Sequence, residues 1–67
     1  MIQWKKTARK HGVEITPASF SDGGGEQCRG YLLSGFLSDI QAAVRDLRRQ
    51  GDIYTSQTPR GVHVCKF

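Results

Sequence analysis

The feature that most constrains this chain is an amphipathic segment near its middle. Apolar residues recur there at steps of three and four, as on one face of a helix: Leu37, Ile40, Val44 and Leu47. Ser38 is a good N-cap residue, and Gln41 three residues later completes a capping-box pattern. Gly51 suits a left-handed C-terminal cap. We therefore expect a helix from about residue 39 to about residue 50, with the four apolar side chains buried.

The residues after this helix change to the period of a β-strand. Val62 and Val64 alternate with His63 and Cys65, which is typical of a half-buried strand. A four-residue segment with turn chemistry precedes them, with proline second and glycine fourth: Thr58-Pro59-Arg60-Gly61. The sequence therefore predicts a β-hairpin over about residues 52–67.

The residues ahead of the helix predict a second hairpin, over about residues 13–33. Val13 and Ile15 alternate with polar neighbours, and the segment 31–33 is again strand-like. Pro17 predicts that the first strand lies at a sheet edge, because proline cannot donate to a ladder. Three consecutive glycines predict the loop tip, since glycine loses the most backbone entropy on folding: Gly23, Gly24 and Gly25.

The first eleven residues leave two structures open. Ile2 and Trp4 alternate as on a strand, whereas Trp4, Ala8 and His11 have helical spacing. The segment contains four cations and no acidic residue, so it is either a solvated face or an arm that contacts phosphates.

Together these patterns predict a single α+β domain over residues 1–67, in the order strand–strand–helix–strand–strand, with one main helix packed on two β-hairpins. A chain of 67 residues is short. It buries only about 60% of its unfolded surface, so its stability is marginal. A homodimer, a metal or a protein partner would add to that stability.

The second half of the chain resembles the end of a winged helix-turn-helix domain. The matching features are a basic helix, a hairpin with Arg60 near its tip, and the segment Leu47-Arg48-Arg49-Gln50-Gly51-Asp52-Ile53. The resemblance implies that the helix is a DNA-recognition helix and the hairpin a wing. That family has two helices ahead of the recognition helix, where this chain has glycines and a proline. A winged-helix-like arrangement is therefore the alternative fold.

The charge of the chain favours a nucleic-acid partner. Its net charge is +4 and its pI is about 9.5. Arginine can pair bidentately with guanine or phosphate, and a glutamine on the helix can reach a base edge. We expect DNA rather than RNA, although a merely solvated face is the alternative. The candidate nucleic-acid-binding residues are Lys5, Lys6, Arg9, Lys10, Gln41, Arg45, Arg48, Arg49 and Arg60.

The histidines and cysteines of the chain give only a weak indication of a metal site. His63 and Cys65 share one strand face, so with His11 and Cys28 they are possible zinc ligands, but their spacing matches no zinc motif. We expect no metal, no cofactor and no catalytic residue. We expect the cysteines to be free thiols, with a Cys28–Cys65 disulfide as the alternative.

The hydropathy pattern predicts no membrane contact. No apolar run approaches the roughly 20 residues needed to span a bilayer. The basic N-terminal segment lacks the apolar region of a signal peptide. We therefore expect a cytoplasmic protein.

Two functions fit these observations. The first is a small DNA-binding module, with a regulatory role of the phage or mobile-element type. The second is a non-enzymatic protein-interaction module or an inhibitor of a larger protein. Sheet edges and three aromatic residues would then supply the contacts: Trp4, Tyr54 and Phe67.

Overall fold

The computed structural model describes the backbone of residues 1–21 and 27–66, and their side chains outside residues 20–28. The strands form one antiparallel sheet in the order β1-β2-β4-β3, which confirms the α+β class. In chain order the elements are α1 (Trp4–Lys10), β1 (Glu14–Ser21), β2 (Gln27–Ser34), α2 (Leu37–Gln50), β3 (Ile53–Thr58) and β4 (Gly61–Lys66).

The hairpin predicted ahead of the main helix is confirmed. β1 pairs with β2 in a register that places Ile15 opposite Leu33 and Pro17 opposite Tyr31. β1 is an edge strand, as Pro17 indicates. The predicted loop tip at residues 23–25 lies outside the described residues. Ahead of α2 the described chain therefore has one helix and one hairpin, whereas a winged helix has two helices there.

The N-terminal segment forms a helix rather than a strand. Trp4 and His11 lie half-buried on one side of α1, and Ala8 between them is buried. The Trp4 ring packs on Tyr31 of β2 with ring centroids 5.6 Å apart. The segment forms a helix because helical spacing places these three side chains on one side, which packs against both the sheet and α2.

The main helix begins two residues earlier than predicted, and its cap differs. Phe36, not Ser38, is the N-cap residue, and no side chain caps the first turn. The carbonyl of Phe36 instead accepts the first helical hydrogen bond, from the amide of Ile40 at 3.0 Å. Ser38 and Gln41 are exposed. At the other end, Gly51 has φ 172°, so the predicted left-handed cap is wrong and the backbone there is extended.

The buried face of α2 also differs from the prediction at one position. Leu37 is 57% exposed, because it lies in the first turn beyond the end of the core, whereas Ala43 is fully buried. Ile40 and Leu47 are buried as expected, and Val44 is half-buried. Ala43 lies in the buried core cluster together with Ile40 and Leu47.

The hydrophobic core lies between the two helices and one face of the sheet. The buried residues are Ala8, Val13, Leu33, Ile40, Ala43, Leu47 and Val64. Because side chains alternate along a strand, we call the face that carries Leu33 and Val64 the helix face, and the opposite one the far face. The far face of β4 carries His63 and Cys65, which are also buried. The prediction of a half-buried last strand is therefore wrong, because β4 is a central strand.

The predicted turn between β3 and β4 is confirmed, and its glycine is required. Thr58 ends β3 and Gly61 begins β4, and the Thr58 hydroxyl donates to the Gly61 carbonyl at 2.9 Å. Gly61 has φ 146°, where other residues are strained, and a Cβ there would collide with the carbonyl oxygen of Leu33. Glycine therefore lets the hairpin lie close against β2.

Two leucines of α2 provide a matched test of this packing. Leu47→Ala should destabilise the fold by about 2–5 kcal/mol, because its side chain is fully buried. Leu37→Ala should change stability by less than about 0.5 kcal/mol, because that side chain is mostly exposed. Urea denaturation followed by circular dichroism measures both. Equal losses of stability in the two variants would contradict the observed orientation of α2 about its axis, which buries Leu47 and exposes Leu37.

Candidate nucleic-acid interface

A polar network centred on Gln50 fixes α1 beside α2. The Gln50 amide oxygen accepts a hydrogen bond from the backbone amide of Gln3 at 2.8 Å. Its amide nitrogen donates to the hydroxyl of the buried Thr7 at 2.8 Å and to Asp46 at 3.3 Å. The start of α1 therefore lies at the end of α2, and the two helices run antiparallel.

Asp46 joins the other end of α1 to α2. Its carboxylate oxygen Oδ2 lies 3.1 Å from Nε2 of His11 and 3.5 Å from Nζ of Lys10. The hydrogen bonds from His11 and then from Gln50 hold the pKa of Asp46 below its usual range, and Lys10 adds to this effect against partial desolvation. In the sequence, Asp46 lies among the arginines of α2. Helix phase instead turns it toward α1, about 100° from the residues on either side.

The arginines of α2 lie on the sides of the helix that face away from the core and α1. Arg45 and Arg49 are exposed and one turn apart, on the outward side of the helix. Arg48 is exposed on the side toward β3, where its Nη2 atom donates to the hydroxyl of Thr55 at 3.3 Å. Gln41 is exposed one to two turns earlier, on the same side as Arg48.

The cations of α1 are exposed beside them. Thr7 and Ala8 turn inward, which leaves the other side of the short helix to charged residues. Helix phase directs Lys6 and Arg9 outward, Lys10 toward α2, and Lys5 toward β1. We use the name basic surface for the exposed cations of both helices: Lys5, Lys6, Arg9, Lys10, Arg45, Arg48 and Arg49.

Most of this positive charge is not neutralised within the described part of the chain. Lys10 is the member of the basic surface that forms an ion pair with a described carboxylate, that of Asp46. The neighbouring His11 contacts the same carboxylate. The other six cations of the basic surface have no described carboxylate within 4 Å. The antiparallel helix pair thus presents positive charge on its outer side, while Asp46 of α2 faces inward.

Arg60 does not join this surface. It lies in the turn between β3 and β4, where its carbonyl accepts a hydrogen bond from the Ser34 hydroxyl at 3.4 Å. Ser34 ends β2 just before α2 begins, whereas Arg48 and Arg49 lie in the last turn of α2. Arg60 and these two arginines are therefore at opposite ends of the domain.

The candidate metal ligands with described side chains are not all brought together. His11 lies between the helices, and His63 and Cys65 lie on the far face of the sheet. In residues 1–21 and 27–66 there is no group of three or more His, Cys, Asp or Glu side chains that could hold a metal ion.

Cys65 is not a free thiol, which corrects the sequence prediction for this residue. It is disulfide-bonded and 1% exposed. The chain has one other cysteine, Cys28, in the neighbouring strand β2, and its side chain lies outside those described. Disulfides persist mainly in oxidising compartments, so this bond weighs against the cytoplasmic expectation.

The aromatic residues proposed as contacts for a protein partner differ in their exposure. Trp4 is half-buried against Tyr31, whereas Tyr54 on β3 is 55% exposed. Phe67 lies outside the described residues.

Sequence reasoning missed the role of Asp46 and Gln50 in holding α1. The local signal was the helical spacing of Trp4, Ala8 and His11, which gives His11 a place on the inner side of a helix. Nothing local pairs that histidine with a carboxylate 35 residues later.

Comparison of the chain with protein-family models, curated proteins and solved structures finds no match. None of the helices in the described residues has the length and apolar character needed to cross a membrane.

The Asp46 network predicts a specific acid sensitivity. The pKa of Asp46 is lower in the folded state than its unfolded value of about 3.9. Its contribution to stability is therefore complete above that value and is lost as the pH falls through the lower, folded pKa. Denaturation midpoints measured between neutral and strongly acidic pH should decline less steeply in Asp46→Asn than in the wild type.

Gln50→Ala provides the graded comparison. It removes one of the hydrogen bonds that lower the pKa of Asp46 but leaves the contact with His11. Its acid dependence should lie between those of the wild type and Asp46→Asn. An Asp46→Asn variant with the full acid dependence of the wild type would contradict this account of the network.

Proposed function

We propose that this protein binds nucleic acid, and DNA in preference to RNA, through the basic surface of α1 and α2. One observation carries the proposal: two adjacent helices expose seven cations, and the Asp46 carboxylate faces inward to Lys10 and His11. A protein that neutralises phosphates with such side chains releases condensed counterions, which drives binding.

The outward stripe of α2 has the shape expected of a helix that approaches a duplex. Ser38 and Ala42 are small, and Arg45 and Arg49 follow them on the same stripe. Small residues let the helix backbone come close, and the two arginines can then donate bidentately to phosphate oxygens or to guanine. Gln41 beside the stripe can reach a base edge.

The cations of α1 take a different role in this proposal. Lys6 and Arg9 lie on the adjacent, antiparallel helix and face the same outward direction. Neighbouring packed helices are about 8–10 Å apart, so these side chains would contact phosphates that flank the site occupied by α2. Contacts of this kind position a protein on nucleic acid without reading its sequence.

A salt titration tests this assignment. The double variant Arg45→Ala/Arg49→Ala should bind a random DNA duplex more weakly. The slope of log affinity against log salt should fall by about 0.9 for each phosphate that the variant no longer neutralises. The measurement is fluorescence anisotropy at several salt concentrations. Lys6→Ala/Arg9→Ala should weaken binding to all sequences about equally.

Arg29→Ala is the matched control. Arg29 is also exposed, but it lies on β2 and not on the helix pair. Its replacement should reduce the slope by no more than the value for a single phosphate. A folded wild-type protein that fails to bind duplex DNA at low ionic strength would overturn the proposal.

The same titration separates DNA from RNA. An RNA duplex has a deep, narrow major groove that side chains cannot read. The wild type should therefore bind an RNA duplex of the same length more weakly. Equal or tighter binding to RNA would move the assignment to RNA. If neither duplex is bound, the protein-interaction module becomes the better explanation.

A further inference from the structure

The two edge strands of the sheet differ in how readily they can pair with a strand of another chain. β1 has Pro17 in its middle, and proline has no amide hydrogen to donate to a neighbouring strand. It also begins with the exposed carboxylate residue Glu14. Prolines and charged residues are the usual means by which proteins protect an edge from pairing with another chain.

The β3 edge has neither kind of protection. Its six residues contain no charge, no proline and no glycine: Ile53, Tyr54, Thr55, Ser56, Gln57 and Thr58. Four of these are β-branched or aromatic, the types that pair well across strands. Tyr54 is 55% exposed on the far face of the sheet and provides contact area for a neighbouring strand.

The charges that flank β3 indicate which partner fits. Asp52 precedes the strand, Arg60 follows it by two residues, and both are exposed. An antiparallel pair of β3 strands centred on Ser56 places Tyr54 of each copy opposite Thr58 of the other. The turn that follows Thr58 carries Arg60, so this register brings Arg60 of each copy beside the start of the other β3, where Asp52 lies. Two opposite-charge contacts then close the pair symmetrically.

We propose that β3 is a self-association edge, through which two copies of this chain form a continuous eight-stranded antiparallel sheet. The pairing is isologous, so it ends at a dimer and does not continue into a fibre. The β1 edges would form the two outer ends of the dimer sheet, where Pro17 resists further strand addition. This edge adjoins the basic surface at Arg48, whose side chain contacts Thr55 of β3, but the proposed pairing does not depend on nucleic-acid binding.

Space for the partner is available at the start of β3. An open cleft of about 480 Å³ is lined there by Arg48, Gly51, Asp52 and Ile53. In the dimer, the turn that carries Arg60 of the second copy would enter this cleft. Asp52 offers it a carboxylate, and Arg48, the other charged residue there, is hydrogen-bonded to Thr55 of its own strand.

Analytical ultracentrifugation over a wide range of concentration provides the first test. The wild type should change from monomer to dimer as its concentration rises. Tyr54→Lys should raise the dimer dissociation constant at least about tenfold, because a lysine on an edge strand discourages pairing. Thr16→Lys is the matched control, since Thr16 is also an exposed residue on the far face of an edge strand. It should dimerise like the wild type.

A charge exchange tests the register. Asp52→Arg and Arg60→Asp each place like charges together across the two-fold axis, so each should weaken the dimer. The double variant Asp52→Arg/Arg60→Asp restores both attractions and should dimerise more tightly than either single variant. Circular dichroism of each variant shows that the fold is retained.

Several results would overturn the assignment. These are a wild type that stays monomeric at every concentration, assemblies that grow beyond the dimer, and equally weakened dimers in Thr16→Lys and Tyr54→Lys. A double charge variant no better than the single ones would also exclude the proposed register.

Discussion

The packing of one face of α2 on the central strands supports every other part of this structure. Ile40, Ala43 and Leu47 cover Leu33 of β2 and Val64 of β4, and these residues are almost completely buried. The described residues of this short chain form one hydrophobic cluster, so a defect in it is not compensated by a second core there. The position of α2 also determines where α1, the basic residues and the sheet edges are placed.

The helix pair shows how polar contacts complete what apolar packing begins. Ala8 and Trp4 bring α1 onto the core, but a helix of seven residues is far too short to be stable alone. Gln50 and Asp46 supply specific hydrogen bonds to both of its ends. The same contacts hold Asp46 of α2 inward, so the outer side of the helix pair is left positively charged. Stability of the fold and the electrostatic character of the surface therefore have a common origin.

The sheet separates two kinds of surface. The helix face is covered, and nucleic-acid binding is proposed for the outer side of its helices. The β3 strand lies at the other kind of surface, an edge of the sheet. Because it is uncharged, it suits hydrogen bonding to the backbone of another strand rather than binding to a phosphate. In the proposed dimer, the two basic surfaces would lie on one side of a continuous sheet. That arrangement would give nucleic acid two related contact surfaces.

The sequence alone determined the elements whose signals are local. The period of α2, the turn chemistry at Pro59 and Gly61, and the edge position of β1 from Pro17 all follow from nearby residues. These signals were sufficient for the α+β class and for the hairpin ahead of α2. They were also sufficient to select the cations of both helices as exposed, because charged side chains are rarely buried without a partner.

Only the tertiary structure decided the features that depend on distant residues. Leu37 has the right spacing for the core but lies beyond its end, and Ala43 is buried instead because its side of the helix faces the core. His11 meets Asp46 only after two helices pack antiparallel. His63 and Cys65 are buried because β4 has a strand on each side. Periodicity describes one element at a time, whereas burial depends on how the whole chain packs.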